Sequence, residues 1–289
     1  MNNIVCIVVT YNRISCLKEC ISSLRNQSYK EFDIVVVNNS STDGTQSWLE
    51  SQNDIFTITQ DNLGGAGGFH TGLKYAHEKG YEWMWLMDDD GEADRDQLKN
   101  LLAGAVENNY FFANALVCDI KNNESLAFGL RLENGTAVTK EDAQKYPIIT
   151  TDINPFNGTF INKQVVDKIG YVKKEMFIWG DEIEYSRRAQ AAGFRSCTIT
   201  NAIHYHPKAR NTYSNVFPFC SKFRVEVPSP NRAHIVFRNM GYNRRYGRLK
   251  GTLWLSFLYG SYYLIRFDIK GLYNFVKYFR KGMVDDFED

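Results

Sequence analysis

The feature that most constrains the fold of this chain is an apolar run, residues 83–87, that ends in three consecutive aspartates. A short apolar run of this kind indicates a buried strand. Asp88, Asp89 and Asp90 would then lie at the carboxyl end of that strand, where open α/β sheets bind their ligands. Three adjacent carboxylates repel one another unless a cation shares them. We therefore predict a divalent metal ion that holds a phosphate-bearing substrate. The alternative is a solvated acidic turn that caps the next helix.

Strand and helix signals alternate along the first half of the chain. Apolar, β-branched runs predict strands at Ile4–Thr10, 33–37 and Ile55–Thr59. Helical spacing at 17–27 lies between the first two strands, and a helix start at 42–44 lies between the next two. This βαβα order is typical of an α/β fold with a mostly parallel sheet flanked by helices.

From about residue 110 onward the pattern is weaker, and strands mix with polar, turn-rich segments. The predicted elements there are a strand at 115–120, an exposed hairpin in 122–151, a helix at 182–192, a strand at 197–200, a loop at 208–231 and helices from there to 281. The expected organisation is one α/β domain, residues 1–210, followed by a loop and a helical region, residues 211–289.

A glycine-rich stretch, residues 62–68, follows the third predicted strand and leads into a helix. Its backbone could approach a ligand closely or present amides to an anion. No Gly-Lys-Ser/Thr sequence follows it, which excludes the Walker pattern, and its position and spacing differ from those of a Rossmann fingerprint. The alternative interpretation is a tight turn at a helix start.

A second acidic cluster lies at the start of the helix predicted near residue 182. Asp181, Glu182 and Glu184 are three acids within four positions, next to Phe177 and Trp179. The helix dipole favours acids at this end, so a purely structural cap is one interpretation. Aromatic rings beside carboxylates also suit a sugar-binding surface, and one carboxylate could accept a hydroxyl proton from an acceptor.

Two histidines, His204 and His206, alternate along an extended segment and therefore face opposite ways. At most one of them is expected to join the aspartates at a metal ion. A mixed set of aspartate and histidine ligands suits Mn²⁺ or Mg²⁺ on a diphosphate.

Five segments of the chain form an ordered set of motifs: Val9-Thr10-Tyr11-Asn12-Arg13, Ser41-Thr42-Asp43-Gly44-Thr45, Asn62-Leu63-Gly64-Gly65-Ala66-Gly67-Gly68, Leu86-Met87-Asp88-Asp89-Asp90 and Trp179-Gly180-Asp181-Glu182-Ile183-Glu184-Tyr185. Taken together and in order, these motifs resemble those of the family 2 glycosyltransferases, which have the Rossmann-like GT-A fold. The likeness covers roughly residues 1–210, and it is nearest to bacterial galactofuranosyl- and rhamnosyltransferases.

The resemblance implies roles for individual residues. Asp88, Asp90 and His206 would bind the metal ion, and Asp181 or Glu182 would be the general base. The nucleotide-sugar donor would contact Thr10, Tyr11, Arg13, Asn38, Asp43, Gly64, Gly65, Asp88 and Asp89. The acceptor would contact Phe156, Asn157, Trp179 and Glu184. Asn38 departs from the family pattern, which has aspartate there; an amide oxygen can still accept a bond from the nucleobase imide, but without charge assistance.

The resemblance also implies an activity. The enzyme would transfer galactofuranose or rhamnose with inversion, from a UDP- or dTDP-sugar to a glycan or lipid-linked glycan in bacterial cell-surface polysaccharide synthesis. One alternative is a sugar-nucleotide-binding module without catalysis. Another is a nucleotidyltransferase, which would need a glycine-rich loop with a basic residue directly after the first strand, where this chain has Tyr11-Asn12-Arg13.

Charge and cysteine content bear on location. The net charge of +1 gives no support for a nucleic-acid partner, and we predict none. The six cysteines show no metal or redox spacing, which favours a reducing cytoplasm. Residues 228–266 contain no acid but several basic residues: Arg232, Arg238, Arg244, Arg245, Arg248, Lys250 and Arg266.

Within that basic region, residues 251–265 are uncharged and aromatic, but they fall short of the roughly 20 residues that span a bilayer. Basic residues interleaved with aromatic ones suit an interfacial helix on an anionic membrane surface. We expect peripheral attachment to the inner face of the cell membrane. The alternative is packing against the catalytic domain or against another copy of the chain in a homo-oligomer.

Overall fold

The structure is a computed structural model that describes residues 2–208, 212–247 and 249–288. The chain divides into two compact units. The first comprises Met1–Lys174 and Tyr185–Ala209, and the second comprises Glu175–Glu184 and Arg210–Asp289. Arg248 of the basic region and residues 209–211 of the predicted loop lie outside the described residues.

The first unit is built on a large sheet with helices. Its strands are β1 (Ile4–Thr10), β2 (Phe32–Asn38), β3 (Ile55–Thr59), β4 (Trp83–Asp88), β5 (Glu92–Ala93), β6 (Phe112–Asp119), β7 (Asn122–Leu132), β8 (Gly135–Thr139), β9 (Ile148–Ile149), β10 (Asn157–Asn162) and β11 (Ser196–His206). The helices are α1 (Ile14–Arg25), α2 (Thr45–Glu50), α3 (Gly64–Glu78), α4 (Gln97–Glu107), α5 (Lys140–Gln144), α6 (Lys163–Ile169) and α7 (Asp181–Ala191), the last of which contributes residues to both units.

The main sheet has the strand order β3-β2-β1-β4-β10-β6-β11-β5. The first four strands are mutually parallel, as are β6 and β11, while β10 runs antiparallel to both of its neighbours. Every residue of β1 is buried, which is expected of a parallel strand covered on both faces. The prediction of a mostly parallel sheet flanked by helices is therefore confirmed.

Helix α3 lies unusually close to β1, because two of its residues have no side chain. A Cβ added to Gly68 would lie 2.3 Å from Val9 Cγ1, and one added to Gly72 would lie 2.4 Å from Ile7 Cγ2. Part of the glycine-rich stretch thus serves helix–sheet packing. The predicted hairpin in 122–151 is present as the antiparallel pair β7 and β8.

The second unit combines a hairpin with helices. Its elements are β12 (Tyr213–Phe217), β13 (Cys220–Glu226), α8 (Ala233–Tyr242), a short 3₁₀ helix (Asn243–Tyr246), α9 (Leu249–Ile265) and α10 (Ile269–Met283). The prediction of helices toward residue 281 is confirmed.

The prediction of a loop at 208–231 is wrong for residues 213–226, which form the antiparallel hairpin β12–β13. The segment mixes apolar and polar residues, and its turn at Pro218-Phe219 lacks the Asn-Gly or Asp-Gly signal of a short hairpin. Val216 and Val225 are nevertheless buried in one apolar cluster with Phe237, Tyr259 and Phe275. Packing against the helices therefore stabilises strands that local sequence does not indicate.

Helices α8 and α10 cross at two glycines with almost no space between their backbones. A Cβ on Gly282 would lie 1.8 Å from the carbonyl oxygen of Arg238, and one on Gly241 would lie 2.1 Å from that of Phe279. Only residues without a side chain fit this crossing, so the two glycines fix how closely the helices approach.

Candidate active site

The three aspartates lie at the carboxyl end of β4, as the sequence predicts. Asp88 is the last residue of β4, and it pairs in register with Val9 of the neighbouring parallel strand β1. Thr10, the residue after Val9, is the last residue of β1. The parallel arrangement therefore brings polar groups from two strand ends to one edge of the sheet.

Residues of the β1–α1 connection bond directly to the second and third aspartates. Thr10 Oγ1 donates to Asp89 Oδ2 at 2.7 Å. Arg13 Nη1 lies 3.3 Å from Asp89 Oδ1 and 2.7 Å from Asp90 Oδ2. Asp89 is buried, with 3% of its surface exposed, and these contacts satisfy both of its oxygens. Thr10 and Arg13, which the resemblance makes donor contacts, thus contact the aspartates directly.

Asp88, Asp90 and His206 form a group that could hold a metal ion. One ligand atom from each lies within 4.8 Å of the others. His206 Nε2 is 3.2 Å from Asp90 Oδ1, while His206 Nδ1 is 2.7 Å from the carbonyl oxygen of Pro207. A carbonyl can only accept, so Nδ1 carries a proton and the lone pair of the neutral ring is on Nε2, the nitrogen that faces Asp90. This backbone contact is the usual outer support of a metal-bound histidine, so these residues fit a divalent cation.

The pKa values of the aspartates also favour a cation at this site. Burial, together with the charges of Asp90 and Asp89, raises the pKa of Asp88 to about 7. Burial also raises the pKa of Asp89 to about 6, against the opposing effects of Thr10 and Arg13. For Asp90, the hydrogen bond and charge of His206 outweigh desolvation and lower the pKa. A divalent cation would oppose both the desolvation and the mutual repulsion that raise the pKa of Asp88.

His204 does not join this group; the sequence predicts that at most one of the two histidines does so. It is fully buried, and Nδ1 lies 3.3 Å from Gln97 Oε1. Burial lowers the pKa of His204 to about 3. Its ring packs directly against Gly91, where a Cβ would lie 2.3 Å from His204 Nε2. His204, Gln97 and Gly91 support the turn after the aspartates, and the sequence motifs did not indicate this contact.

The remaining residues predicted to bind the nucleotide differ in environment. Tyr11 is 45% exposed. Asp43 is also exposed, and it accepts bonds from the backbone N–H of Ile14 and from Thr45 at the starts of α1 and α2. These bonds outweigh its slight desolvation and lower the pKa of Asp43. Asn38 is fully buried; its Oδ1 accepts from the backbone N–H of Ser41 and its Nδ2 donates to Gln46.

The glycine-rich stretch begins helix α3 at Gly64, which has a φ of 69°. Asn62 Oδ1 accepts from the backbone N–H of Gly64 at 3.0 Å. A Cβ placed on Gly65 would meet no described atom within 4 Å, unlike one on Gly67 or Gly68. At Gly65, open space rather than packing therefore adjoins the backbone.

Two residues predicted to contact the acceptor precede and begin β10. Phe156 is buried, has a φ of 65°, and its ring centroid lies 4.5 Å from that of Phe69. Asn157 pairs in register with Met87, one residue before the first aspartate. Its Nδ2 donates to the carbonyl of Pro155, and no described residue bonds to its buried Oδ1.

The second acidic cluster belongs to the second unit. Asp181 and Glu184 are 4% and 1% exposed, and Tyr246 donates to Glu184 Oε1 at 2.9 Å. Glu182 Oε2 accepts the backbone N–H of Gly180 at 2.8 Å, which caps the start of α7. Burial raises the pKa of Glu182 against the opposing hydrogen bonds from backbone N–H groups and from Asp181.

The loop before α7 carries Trp179, which is 36% exposed and has the guanidinium of Arg232 at 4.8 Å from its ring. Phe177 and Trp179 both have a left-handed backbone, with φ of 63° and 61°. A non-glycine residue in this region costs on the order of 1–3 kcal/mol, and such residues cluster at functional sites.

Comparison with known proteins identifies the family of the chain. The sequence model described as Glycosyl transferase family 2 matches residues 5–170. The chain is 30% identical to galactofuranosyltransferase GlfT1 of Mycobacterium tuberculosis, over 97% of this chain and 95% of that protein. It is 29% identical to GlfT1 of Mycolicibacterium smegmatis, over 99% of this chain and 98% of that protein.

Among solved structures, the chain is similar in fold to residues 1–349 of S. aureus TarS in complex with UDP. The TM-score is 0.56 at 13% identity, over 99% of this chain and 92% of TarS 1–349. The family match covers more than half of the sequence and the likeness to GlfT1 covers nearly all of it, so the chain belongs to glycosyltransferase family 2 and is a hexosyltransferase with the GT-A fold.

Proposed function

We propose that this enzyme transfers a sugar with inversion, from a UDP- or dTDP-sugar to a glycan or lipid-linked glycan acceptor of the bacterial cell surface. The observation that carries the proposal is the convergence of Asp88, Asp90 and His206 Nε2 within 4.8 Å in a family 2 chain. Galactofuranose is the sugar named for the GlfT1 relatives, and it is therefore the first candidate, with rhamnose as the second.

The proposed donor pocket lies at the carboxyl ends of β1, β2 and β4. The exposed ring of Tyr11 and the guanidinium of Arg13 supply aromatic and cationic surface for a nucleotide diphosphate. The other proposed donor contacts are Thr10, Asn38, Asp43, Gly64, Gly65, Asp88 and Asp89. Asn38 would shape the pocket chiefly through its bonds to Ser41 and Gln46, because both ends of its amide are engaged.

Asp88, Asp90 and His206 would hold Mn²⁺ or Mg²⁺ in the active enzyme. Such an ion, when bound, stabilises negative charge on a departing diphosphate. Arg13 would add a second positive charge on the same side, since it already bonds Asp89 and Asp90. Thr10 would keep Asp89 ionised and oriented through its hydrogen bond.

The proposed general base is Asp181 or Glu182. It would take the proton of the acceptor hydroxyl as the hydroxyl oxygen attacks the anomeric carbon of the donor sugar. The raised pKa of Glu182 supports a role in proton transfer, because it makes the ionised carboxylate a stronger base. Phe156, Asn157, Trp179 and Glu184 are the proposed acceptor contacts. No protein nucleophile is needed, since a single displacement inverts the anomeric centre.

We also propose separate roles for two parts of the chain. Residues 1–210 bind the donor, and residues 211–289 attach the enzyme to a membrane surface. None of the described helices has both the length and the apolar character needed to cross a bilayer. Helix α9 nevertheless exposes Leu253, Trp254 and Phe257 by 61%, 48% and 52%. Basic Lys250 precedes these residues and basic Arg266 follows them, which suits the inner, anionic leaflet.

The decisive experiment measures thermal stabilisation by a panel of UDP- and dTDP-sugars with Mn²⁺, followed by transfer to synthetic acceptors and determination of the product anomer. UDP-galactofuranose is expected to raise the melting temperature only with metal and to give an inverted product. Binding without hydrolysis or transfer would indicate an inactive binding module. Formation of a sugar nucleotide from a nucleoside triphosphate and a sugar phosphate would indicate a nucleotidyltransferase.

A further inference from the structure

The loop that leads into α7 follows a backbone path that needs outside support. Phe177, Trp179 and Gly180 have φ of 63°, 61° and 88°. Glycine adopts such angles easily, but a bulky aromatic residue does so only when its surroundings enforce the conformation. The contacts that enforce it are therefore part of what positions the residues of this loop.

Asn239 of α8 makes three of these contacts. Its Nδ2 lies 2.8 Å from the carbonyl oxygen of Met176, 2.9 Å from that of Ile178 and 2.8 Å from that of Trp179. The residue is 1% exposed. Carbonyl oxygens only accept hydrogen bonds, so the amide nitrogen and not the amide oxygen must face the loop.

Asn243, four residues further on, continues the same row. Its Nδ2 donates to the carbonyl oxygen of Gly180 at 2.9 Å. Residues four apart on a helix lie on one face, and the two asparagines together bond the carbonyls of residues 176, 178, 179 and 180. These bonds extend to the residue directly before Asp181.

We propose that Asn239 is a positioning residue for sugar transfer. Its two N–H groups, one of them shared between two carbonyls, hold residues 176–180 in a path that is left-handed at Phe177, Trp179 and Gly180. This path presents Trp179 and the carboxylates at the start of α7. The link to catalysis rests on the proposed role of Asp181 or Glu182 as the base. The position requires N–H donors as well as the right shape. A side chain of the same shape without them would place its own oxygen atoms against the carbonyl oxygens of the loop.

The test uses Asn239→Asp, which keeps the shape and removes the donors. The matched control is Asn274→Asp on α10, because the Asn274 side chain has no hydrogen bond to any residue that the structure describes. Two measurements are made at a temperature where circular dichroism shows each protein folded. One is hydrogen exchange of the peptide covering 176–182, and the other is steady-state transfer with separate kcat and donor KM.

For Asn239→Asp we expect exchange in 176–182 to be faster by at least about tenfold. We also expect kcat to fall by about 10²-fold, because small displacements of positioned groups have effects of this size. The donor KM is expected to stay unchanged, whereas a general loss of structure would change it as well. Asn274→Asp should match the wild-type chain in both measurements.

Wild-type exchange and wild-type kcat in a folded Asn239→Asp variant would overturn the proposal. Should that variant fail to fold, Asn239→Ala removes the donors without adding a charge, and the same two results decide. Full activity of both Asp181→Asn and Glu182→Gln would instead refute the assignment of the base. In that case the exchange measurement still decides whether Asn239 holds the loop.

Discussion

Thr10 and Asp89 are joined across the ends of β1 and β4 by a hydrogen bond of 2.7 Å between the hydroxyl and Oδ2. Both residues are buried. We predict that Thr10→Val, which keeps the side-chain shape, lowers the free energy of unfolding by about 1–3 kcal/mol, because a buried acceptor loses its donor. Urea denaturation measures the free energy of unfolding of the variant and of the wild-type chain.

The control for Thr10→Val is Thr57→Val on β3, since the Thr57 hydroxyl has no hydrogen bond to another described residue. Valine also suits a strand at this position, so the control should be neutral or slightly stabilising. Equal effects of the two substitutions would mean that the bond to Asp89 contributes nothing to stability.

The stability of the metal-free protein is predicted to fall as pH rises from about 4 to about 7. The pKa values of Asp88 and Asp89 are raised to about 7 and about 6, so in this window the folded chain binds protons that the unfolded chain has released. The raised pKa of His206 acts in the same direction above its ordinary value. Melting temperatures in chelator across this pH range test the prediction.

Mn²⁺ is predicted to raise the melting temperature more at about pH 8 than at about pH 5, because the ion competes with protons for the same carboxylates. The matched control is Asp88→Asn combined with Asp90→Asn, which should abolish the metal-dependent increase. An increase of the same size at both pH values would contradict the assignment of these aspartates as ligands.

Asp181→Asn or Glu182→Gln is predicted to lower kcat by about 10²–10⁴-fold, the usual contribution of a general base. Donor binding should persist, and metal-dependent thermal stabilisation by UDP measures it. Glu133→Gln in the turn between β7 and β8 is the control, because Glu133 is exposed and far along the chain from both acidic clusters. If neither variant loses turnover, another group must accept the proton.

Gly282→Ala is predicted to destabilise the second unit by about 1–3 kcal/mol, since its Cβ would overlap the carbonyl oxygen of Arg238. Gly260→Ala on α9 is the matched control. No described atom lies within 4 Å of a Cβ at Gly260, so alanine there should stabilise the helix by about 0.5–1 kcal/mol. The melting temperatures of the two variants should therefore shift in opposite directions relative to the wild-type chain.

The double variant Trp254→Gln/Phe257→Gln is predicted to reduce flotation of the full-length chain with vesicles rich in phosphatidylglycerol. Phe56→Gln, on β3, is the control because Phe56 is 50% exposed, close to the 48% and 52% of the two α9 residues. The wild-type chain should bind neutral vesicles more weakly, and salt should weaken its binding to anionic ones. Equal flotation of the double variant would refute attachment through α9.

Much of the first unit could be predicted because its signals are local. The apolar runs that form β1 and β4 are buried on both faces, so every residue reports the same environment. The first aspartate ends β4 and the other two follow it directly, so topology alone brings them to the edge of the sheet beside Thr10. Side-chain alternation indicates that at most one of His204 and His206 joins the aspartates, and the choice of His206 rests on the resemblance to family 2.

The supporting contacts could not be predicted, because they join residues that are distant in sequence. His204 meets Gln97 across 107 residues, and Asn239 meets the carbonyl of Met176 across 63. An asparagine within an amphipathic helix carries no local sign that its amide binds a remote backbone. The hairpin β12–β13 was missed for the same reason, since its burial depends on Phe237 and other residues of the later helices.

The bond from His206 Nδ1 to the Pro207 carbonyl has a consequence for how an ion would be captured. The imidazole cannot rotate about its χ2 axis without breaking this bond to its own neighbour. Its orientation is thus settled during folding, and the arrival of a cation leaves little rotational freedom still to be lost. Exchange of one divalent ion for another should accordingly leave the ring where it is, and the two carboxylates should make whatever adjustment the new ionic radius requires.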